Sequence, residues 1–350
     1  MTSGRQSLLI RADASTAIGT GHAMRCLALA KTWQGTGGQV NYLMAESIPA
    51  LEDRFAREGV TVTRIAAAPG MVSDAEQTVA EARRLGARWV VADGYRFEPD
   101  YIRKLKAAGL RVLSLDDDGR FDFYSADIVL NQNISANSAM YAKREPFTRL
   151  LLGSEYVLLR PEFLAESRTR EFPAAAWKVL VTMGGSDPEN VTKKVLLAVL
   201  KIEANIEVNI EARIVVGSGN PWQDEVQVLA AQRAGLQLER SPENMAPLMR
   251  WADIVISGAG STCWELAYLG LPAIVIALSR DQLEIARGLA ENEVAVSLGW
   301  HANLSEERIS DALNRLLSDQ ERRRAMSERG QKLVDGRGAE RVVAFLQSSL

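Results

Sequence analysis

Cysteine, histidine and aromatic residues are scarce in this chain of 350 residues. It has two cysteines and two histidines, and phenylalanine, tryptophan and tyrosine together make up 6% of it. Cys26 and Cys263 lie far apart in the sequence, and each falls in a predicted helix. They therefore indicate two buried thiols rather than a disulfide or a metal pair, and a reducing cytoplasm is the expected compartment.

The sequence also lacks an excess of charge and a long apolar segment at its start. Its 41 Lys and Arg residues against 44 Asp and Glu residues leave a net charge of -3, so nucleic-acid binding is not expected. The apolar run at 8–10 is interrupted by Arg11 and Asp13, which makes it too short for a signal peptide or a membrane span. We expect no integral membrane segment, and no protein partner is evident.

Short apolar runs alternate with segments of helical spacing along the whole chain, in which 47% of residues are apolar. The first half predicts strands at 7–13, 39–44, 60–65, 88–93, 111–116 and 127–133, with helices near 21–36, 50–58, 74–86 and 98–108. The second half predicts strands at 178–183, 211–217, 236–240, 252–257, 272–278 and 294–299, with helices near 189–202, 222–234, 261–270 and 281–292. Near-continuous apolar strands between helices indicate parallel sheets that are covered on both faces.

The repetition of this pattern predicts two doubly wound, Rossmann-like α/β domains. The first domain is expected at 1–150 and the second at 178–350, with a linker at 151–177, where the alternation lapses. In the C-terminal tail, apolar spacing at 309–317 and a start at Gly338 predict packing helices. The last of them could return to the first domain.

The loop that follows the first strand, 17–25, carries one of the two histidines. Gly19 and Gly21 permit a tight turn, and His22 falls at the start of a helix. A helix N-terminus disfavours the imidazolium, so His22 is a candidate general base. The alternative is a histidine that only hydrogen-bonds the turn. His301 is expected to be an exposed loop residue.

The loop at 183–190, MGGSDPEN, connects a predicted strand to a predicted helix. The backbone N–H groups of Gly184, Gly185 and Ser186 could point at an anion, and a helix start is a ready phosphate site. Ser186 and Asp187 could instead cap the helix, with Pro188 in its first turn. The residues alone leave a phosphate site and a plain capped turn open.

A second glycine-rich loop follows the strand at 252–257. Gly258, Gly260, Ser261 and Thr262 open another helix and form a second candidate anion site. Glu265, one helical turn further on, suits the hydroxyl groups of a ribose.

Two acidic segments end strands of the first domain. Asp93 and Tyr95 follow one strand, and a run of three aspartates, 116–118, follows the next. Either segment could bind sugar hydroxyls. The run could also hold a metal, although turns and helix caps are the commoner use of such aspartates.

Four blocks of sequence together resemble a known family. They are IRADASTAIGTGHAMRCLALA at 10–30, LLGSEYVLLRPEF at 151–163, VLVTMGGSDPENVTKKVL at 179–196 and WADIVISGAGSTCWELAYLGLPAIVI at 251–276. They resemble the nucleotide-sugar hydrolases of pseudaminic acid biosynthesis and the related spore-coat polysaccharide proteins, in family order and over about residues 7–346. That family is similar in turn to the glycosyltransferase that adds N-acetylglucosamine to a lipid-linked precursor. The resemblance therefore implies a GT-B-like fold, with two Rossmann-like domains that face a central cleft.

The resemblance implies removal of UDP from UDP-2,4-diacetamido-2,4,6-trideoxy-β-L-altropyranose by inverting attack of water, without a cofactor or a required metal. His22 matches the family's proposed general base, Gly19 and Gly21 belong to its loop, and Tyr95 matches a tyrosine near the sugar. Asp13 is placed with the substrate-binding residues. The two glycine blocks match the UDP-binding loops, with Glu265 as the ribose-binding acid.

The chain departs from the family pattern at two positions. Where the family often has Glu-Asn-Gln, this chain has Ser279-Arg280-Asp281-Gln282, and Gln282 is expected to keep the glutamine's role. Asp93-Gly94-Tyr95 replaces the commoner Asp-His-Tyr or Asp-Asn-Tyr. Two alternatives to the hydrolase stay open: a GT-B glycosyltransferase with a UDP-sugar donor, and a non-catalytic nucleotide-sugar binding protein.

Overall fold

The computed structural model describes residues 6–15, 18–205 and 210–348. Contacts divide the chain into two compact units, one formed by Met1–Pro161 together with Gly336–Leu350 and the other by Glu162–Asp335. Each unit has its own parallel sheet. Among the described residues, no helix combines the length and the apolar character that a bilayer crossing requires.

Unit 1 has a seven-stranded sheet with the order β3-β2-β1-β4-β5-β6-β7. Its strands are β1 (Ser7–Ala12), β2 (Gln39–Met44), β3 (Thr61–Arg64), β4 (Trp89–Asp93), β5 (Arg111–Leu115), β6 (Ile128–Asn131) and β7 (Arg149–Leu152). Helices α1 (Gly21–Gly35), α2 (Pro49–Arg57), α3 (Val72–Leu85) and α4 (Pro99–Ala107) connect the first five strands. Gly86 ends α3 in the left-handed conformation, with φ of 63°, which is a common conformation for a glycine at a helix C-terminus.

The strands of unit 1 are buried on both faces, which explains their continuous apolar runs. Leu8 and Ile10 of β1 pack into one core with α1, whereas Leu9 packs into the opposite core with α3 and α4. Successive side chains of a strand point to opposite faces of the sheet, so one apolar run serves both cores.

Residues 151–177, which the sequence predicted to be a linker, contain several short elements of secondary structure. They hold the end of β7, a 3-10 turn at Ser154–Tyr156 and the short helix α5 (Pro161–Leu164). The strand β7 escaped prediction because it has four residues and only one of them, Leu151, is buried.

Unit 2 has a six-stranded sheet with the order β10-β9-β8-β11-β12-β13. Its strands are β8 (Lys178–Thr182), β9 (Glu211–Val216), β10 (Leu236–Arg240), β11 (Ile254–Gly258), β12 (Ala273–Ala277) and β13 (Ala295–Trp300). Its helices are α6 (Val191–Asn205), α7 (Gln223–Ala230), α8 (Ala246–Trp251), α9 (Thr262–Tyr268), α10 (Asp281–Glu291), α11 (Glu306–Ser318) and α12 (Gln320–Leu333).

Helix α12 was not predicted because its charges obscure the apolar periodicity. Arg323 is fully buried, and its Nη1 donates to the carbonyl groups of Leu316 and Leu317 at 2.6 Å each. Backbone oxygens thereby accept hydrogen bonds from both Nη atoms of a cation that the sequence pattern assigns to solvent, and its buried Nε has no hydrogen-bond partner among the described residues.

The last helix, α13 (Gly338–Ser348), packs on α1 in unit 1. Val342 and Val343 are buried in its core, and the Trp89 Nε1–H donates to the carbonyl of Leu346 at 3.1 Å. The C-terminal segment therefore completes the first sheet's helical layer after the chain has built the second unit.

Each sheet has one point where the strand order reverses, and the candidate loops lie there. In unit 1, β1 lies beside β4 with Ala12 opposite Asp93. In unit 2, β8 lies beside β11 with Thr182 opposite Ser257. The loops that follow these strands start side by side, which is where open α/β sheets bind their ligands.

Candidate active site

The loop between β1 and α1 brings His22 to the carboxyl edge of the first sheet. Gly19 has φ of 75°, a left-handed conformation that glycine adopts without strain, and its N–H donates to the carbonyl of Ser15 at 2.8 Å. Helix α1 begins at Gly21, so His22 lies in its first turn and is 9% exposed. Ala17, the first residue of the predicted loop, lies outside the described residues.

His22 pairs with Asp93, the last residue of β4. The distance between His22 Nδ1 and Asp93 Oδ1 is 2.8 Å, and Asp93 is fully buried. A carboxylate only accepts hydrogen bonds, so in the neutral imidazole the hydrogen sits on Nδ1 and Nε2 becomes the nitrogen that can accept a proton. This is the tautomer that a general base at the pocket requires.

Arg25, one helical turn after His22, makes a second set of contacts with the same carboxylate. Its Nε and Nη2 donate to Asp93 Oδ2 and Oδ1, both at 2.7 Å. On its other side, its Nη1 and Nη2 donate to Asp117 at 2.7 and 3.0 Å. Arg25 was not among the site residues predicted from the sequence, although its spacing of three residues from His22 places both on one helix face.

The charge of Arg25 keeps Asp93 ionised despite burial. Burial by itself raises the pKa of an aspartate, but the Arg25 charge, helped by His22 and by hydrogen bonds from both, holds the pKa of Asp93 well below its ordinary value. The Cys26 thiol lies 3.3 Å from Asp93 Oδ2. Burial and the Asp93 charge raise the pKa of Cys26 well above its ordinary value, so this buried thiol stays protonated and is no nucleophile. Cys263 is buried and free as well, as predicted.

Tyr95 stands beside the imidazole at the surface. Its ring meets that of His22 edge to face at 4.8 Å, and half of the residue is exposed. A pocket of about 430 Å³, including its mouth, is lined by His22 and Tyr95 together with Asp13, Ile18, Glu46, Pro69 and Phe97. A second pocket of about 300 Å³ extends from the same two residues along Asp117 and Arg120. His22, the predicted base, and Tyr95, the residue predicted near the sugar, therefore line the same two pockets.

Asp13 lines the larger pocket, but its Oδ1 has structural partners. It accepts hydrogen bonds from Arg11 Nη1 at 2.7 Å and from the N–H groups of Ala45 and Glu46 at 2.7 and 3.0 Å. Arg11 is itself buried between Asp13 and Asp74. The observed contacts of Asp13 thus hold the loop after β2 against the end of β1, and its role toward a substrate stays a prediction.

The three aspartates at 116–118 do not act as one group. Asp116 is buried and accepts hydrogen bonds from the hydroxyls of Tyr124 and Tyr141 at 3.0 and 2.9 Å. Asp117 turns to Arg25 instead. These contacts give the run a place in a turn and in an ion pair. Among the described residues no cluster of three or more metal-ligating side chains is found.

His301 lies outside this site, and the prediction that it is exposed was wrong. It begins a 3-10 turn after β13 and is 8% exposed, with its ring 4.6 Å from that of Trp300. Its carbonyl accepts a hydrogen bond from Lys194 Nζ at 3.1 Å. Packing against a neighbouring tryptophan covers a residue whose polar sequence context indicated solvent.

In unit 2, the loop after β8 differs from its prediction at the start of α6. The helix begins at Val191, and Pro188 precedes it rather than lying in its first turn. The Asp187 carboxylate accepts from the N–H groups of Val191 and Thr192 at 2.8 and 2.9 Å. Because the first N–H groups of α6 are already satisfied, an anion would meet the exposed segment 184–186 rather than this helix start.

A further glycine loop, missed in the sequence, packs against that segment. Gly217-Ser218-Gly219 follows β9, and the Gly219 N–H donates to the carbonyl of Gly185 at 3.2 Å. A Cβ atom on Gly217 would lie 2.3 Å from the same oxygen, so only glycine allows this approach. The available signal was the pair of glycines directly after a buried strand.

The loop after β11 brings the remaining predicted residues together. Ser261 is exposed just before α9, which begins at Thr262, and Glu265 lies half-buried one turn further on. Gln282 is beside this loop: a Cβ atom on Gly260 would lie 3.5 Å from its Nε2. Its Oε1 accepts from the Leu278 N–H at 3.0 Å. Gly258, by contrast, is buried against Leu278 and has a packing role.

Residues 179–341 match the family model described as glycosyltransferase family 28 C-terminal domain. The chain is 28% identical over 236 residues to the spore coat polysaccharide biosynthesis protein SpsG of Bacillus subtilis, which covers 67% of this chain and 68% of that protein. It is 26% identical over 289 residues to the UDP-2,4-diacetamido-2,4,6-trideoxy-beta-L-altropyranose hydrolase of Campylobacter jejuni, covering 81% of this chain and 96% of the hydrolase.

Solved structures resemble the chain along nearly its full length. Acinetobacter baumannii MurG is 18% identical with a TM-score of 0.66, covering 98% of this chain and 99% of MurG. Anabaena HepE, in complex with UDP and glucose, is 14% identical with a TM-score of 0.64, covering 99% of this chain and 100% of HepE. At such identities the likeness concerns the fold, and the prediction of a GT-B-like α/β fold is confirmed.

Proposed function

We propose that this chain is an enzyme that hydrolyses a UDP-linked sugar, with His22 as the general base. The observation that carries the proposal is the His22–Asp93 pair, in which Nδ1 faces a buried carboxylate at 2.8 Å and the ring borders an open pocket. A water held by Nε2 would lose its proton to the imidazole as it attacks the anomeric carbon. Attack from the side opposite to UDP inverts the configuration at that carbon.

We assign the nucleotide to the glycine loops of unit 2. The exposed segment 184–186 and the residues around Ser261 lie at the switch point of the second sheet, and backbone N–H groups in such loops suit a diphosphate. There they would stabilise the negative charge that grows on UDP as the sugar bond breaks. Glu265 is assigned to the ribose hydroxyls and Gln282, next to Gly260, to the sugar side of the same loop.

The substrate we propose is a UDP-linked diacetamido-trideoxy sugar, used in pseudaminic acid biosynthesis or a related surface-polysaccharide pathway. The named activity of the Campylobacter relative supports this choice. Apolar side chains at the pocket, Ile18, Pro69 and Phe97, would suit the methyl groups of such a sugar. We propose that the reaction needs no metal, since Asp116 and Asp117, which line the second pocket, are engaged by protein partners.

A glycosyltransferase is the second candidate, and the family 28 match to residues 179–341 favours it. The same base would then activate an acceptor hydroxyl instead of water. We infer hydrolysis as the first choice because a named hydrolase aligns over most of both chains.

Product analysis separates the two activities. The purified chain is incubated with a small panel of UDP-sugars, without an acceptor, and the products are identified by electrospray mass spectrometry. UDP and a free sugar from at least one diacetamido substrate support the proposal. UMP with a sugar phosphate, or product only after an acceptor is added, would contradict it.

A further inference from the structure

The guanidinium of Arg25 joins two carboxylates that come from neighbouring strands of unit 1. Asp93 ends β4 and Asp117 follows β5, and Arg25 makes a two-point contact with each of them. The side chains of Arg25 and Asp117 are 12% and 20% exposed, so this pair is shielded from most solvent. Bidentate contacts of this kind hold both carboxylates in a defined orientation.

Arg25 also lies against the imidazole itself. Its Nη2 is 3.3 Å from His22 Nδ1, and both atoms are donors when Nδ1 carries its hydrogen. The contact is therefore not a hydrogen bond but a positive charge close to the ring. With a neutral imidazole the four side chains carry one positive and two negative charges, and protonation of His22 makes the cluster neutral.

We propose that Arg25 and Asp117 are positioning residues for His22. Through Asp93 they fix the Nδ1–H tautomer and the orientation of the imidazole ring. Removing the charge of Arg25 and removing the charge of Asp117 change the electrostatic field at the ring in opposite directions. The importance of this pair for turnover rests on the proposed function, whereas its effect on the imidazole does not.

Other charged or titratable groups surround the cluster from each neighbouring element. They are Cys26 on α1, Asp13 after β1, Tyr42 on β2 and Glu46 after it, Tyr95 and Arg96 after β4, and Asp116, Asp118 and Arg120 after β5. Among the described hydrogen bonds, those of Asp93 and Asp117 are the ones that reach His22 or Arg25 directly. Asp118 therefore offers a matched control, because it has the same charge on the adjacent residue.

The test is an NMR titration of the His22 imidazole in the full chain. The chain has two histidines, so a His301→Gln variant assigns the signals. We expect Asp117→Asn to lower the titration midpoint of His22 by about 0.5 to 1 unit and Arg25→Gln to raise it by a similar amount. Nitrogen shifts should show the Nδ1–H tautomer in the parent chain and a mixture of tautomers in Arg25→Gln.

The opposite signs are decisive, because a loosened fold would move both midpoints toward the same value. Asp118→Asn should move the midpoint by less than half as much as Asp117→Asn. Equal shifts of the midpoint in Asp117→Asn and Asp118→Asn would overturn the proposal, and so would shifts of the same sign in Asp117→Asn and Arg25→Gln. If Arg25→Gln does not fold, the comparison of Asp117→Asn with Asp118→Asn is sufficient. The same variants should shift the acid limb of the plot of turnover against pH. If the NMR midpoint of His22 moves as expected but this acid limb does not, the positioning role is sustained and His22 is not the base.

Discussion

His22 and Asp93 come from different strand ends yet share one hydrogen bond, with Nδ1 2.8 Å from Oδ1. Their contact depends on the crossover that places β4 beside β1, since Ala12 and Asp93 are level in the sheet. The hydrogen bond between these two residues is therefore a direct consequence of the doubly wound strand order. A histidine on the first helix finds its carboxylate because the fourth strand, and not the second, extends the sheet on that side.

Asp93→Asn should lower turnover strongly in a chain that still folds and binds UDP. The amide can donate to Nδ1, which moves the imidazole hydrogen to Nε2 and removes the lone pair that accepts the proton. We expect turnover of the UDP-sugar to fall by about 10²- to 10⁴-fold, with UDP affinity unchanged by calorimetry. A variant that retains more than about a tenth of turnover would show that the carboxylate does not control the tautomer.

His22→Ala should abolish nearly all turnover while UDP affinity stays about the same. We place the base in unit 1 and the nucleotide in unit 2, and loss of a general base typically costs about 10²- to 10⁴-fold. His301→Gln is the matched control, because His301 is the chain's other histidine, lies in a 3-10 turn of unit 2 and has no assigned role in the proposed site, and it should keep parental turnover. If His22→Ala kept more than about a third of turnover, His22 would not be the base.

The strands and loops of this fold could be predicted because parallel sheets leave a strong signal in sequence. A strand buried on both faces is a continuous apolar run, and the loops of interest are those that follow such runs. His22 could be proposed as a site residue because it follows two glycines in a chain that has only one other histidine. None of this required knowledge of which strands lie side by side.

The missing parts of the site depend on that neighbour relationship. Arg25 and Asp117 are 92 residues apart in sequence, and their contact exists because β5 lies beside β4. Similarly, Gly217 is needed because β9 lies beside β8, which brings its loop against Gly185. A cap by Asp187 was one of the predicted alternatives. The sequence could not show that this cap takes up the first N–H groups of α6, because that depends on the hydrogen bonds seen in the structure.

Gly217→Ala should weaken UDP binding by displacing the segment 184–186. The new Cβ would lie 2.3 Å from the Gly185 carbonyl oxygen, so one of the two loops must move, at a cost of about 1–3 kcal/mol in unfolding free energy. We expect UDP affinity by calorimetry to fall at least about 10-fold, which is about 1.4 kcal/mol.

Gly235→Ala is the control for this variant. A Cβ there would lie 2.8 Å from the carbonyl oxygen of Ile210, just before β9, whereas the glycine loops follow the opposite ends of the strands. It should lower thermal stability and leave UDP affinity unchanged. Equal losses of affinity in both variants would indicate general destabilisation and would remove the loop from the proposed nucleotide site.

Glu265→Ala should weaken UDP binding by roughly 1.5–3 kcal/mol, the range for hydrogen bonds to a charged partner. The loss should appear mainly in substrate affinity and not in the chemical step. Glu291→Ala is the comparison variant, because Glu291 is an exposed acid on α10 whose side chain is 64% exposed. Identical calorimetric affinities for the Glu265 variant and the parent chain would assign Glu265 a structural role in α9.

Reaction in ¹⁸O-labelled water should place the label on the sugar hydroxyl and none on UDP. If water attacks the anomeric carbon, the bond between that carbon and the diphosphate oxygen breaks, and the unit 2 loops stabilise the departing diphosphate. Mass spectrometry locates the label, and NMR during the reaction should first detect the sugar anomer of inverted configuration. Turnover should also survive EDTA.

A pyrophosphatase would give a different result, because attack at phosphorus yields UMP and a sugar phosphate and normally uses a metal held by carboxylates. The acidic run that could have served, 116–118, is divided between a buried turn and the Arg25 pair in unit 1. The proposed diphosphate loops belong to unit 2. Label in the nucleotide, or turnover that requires added Mg²⁺, would therefore overturn the mechanism. Transfer of the sugar to an added acceptor, with no label incorporated, would instead establish the glycosyltransferase.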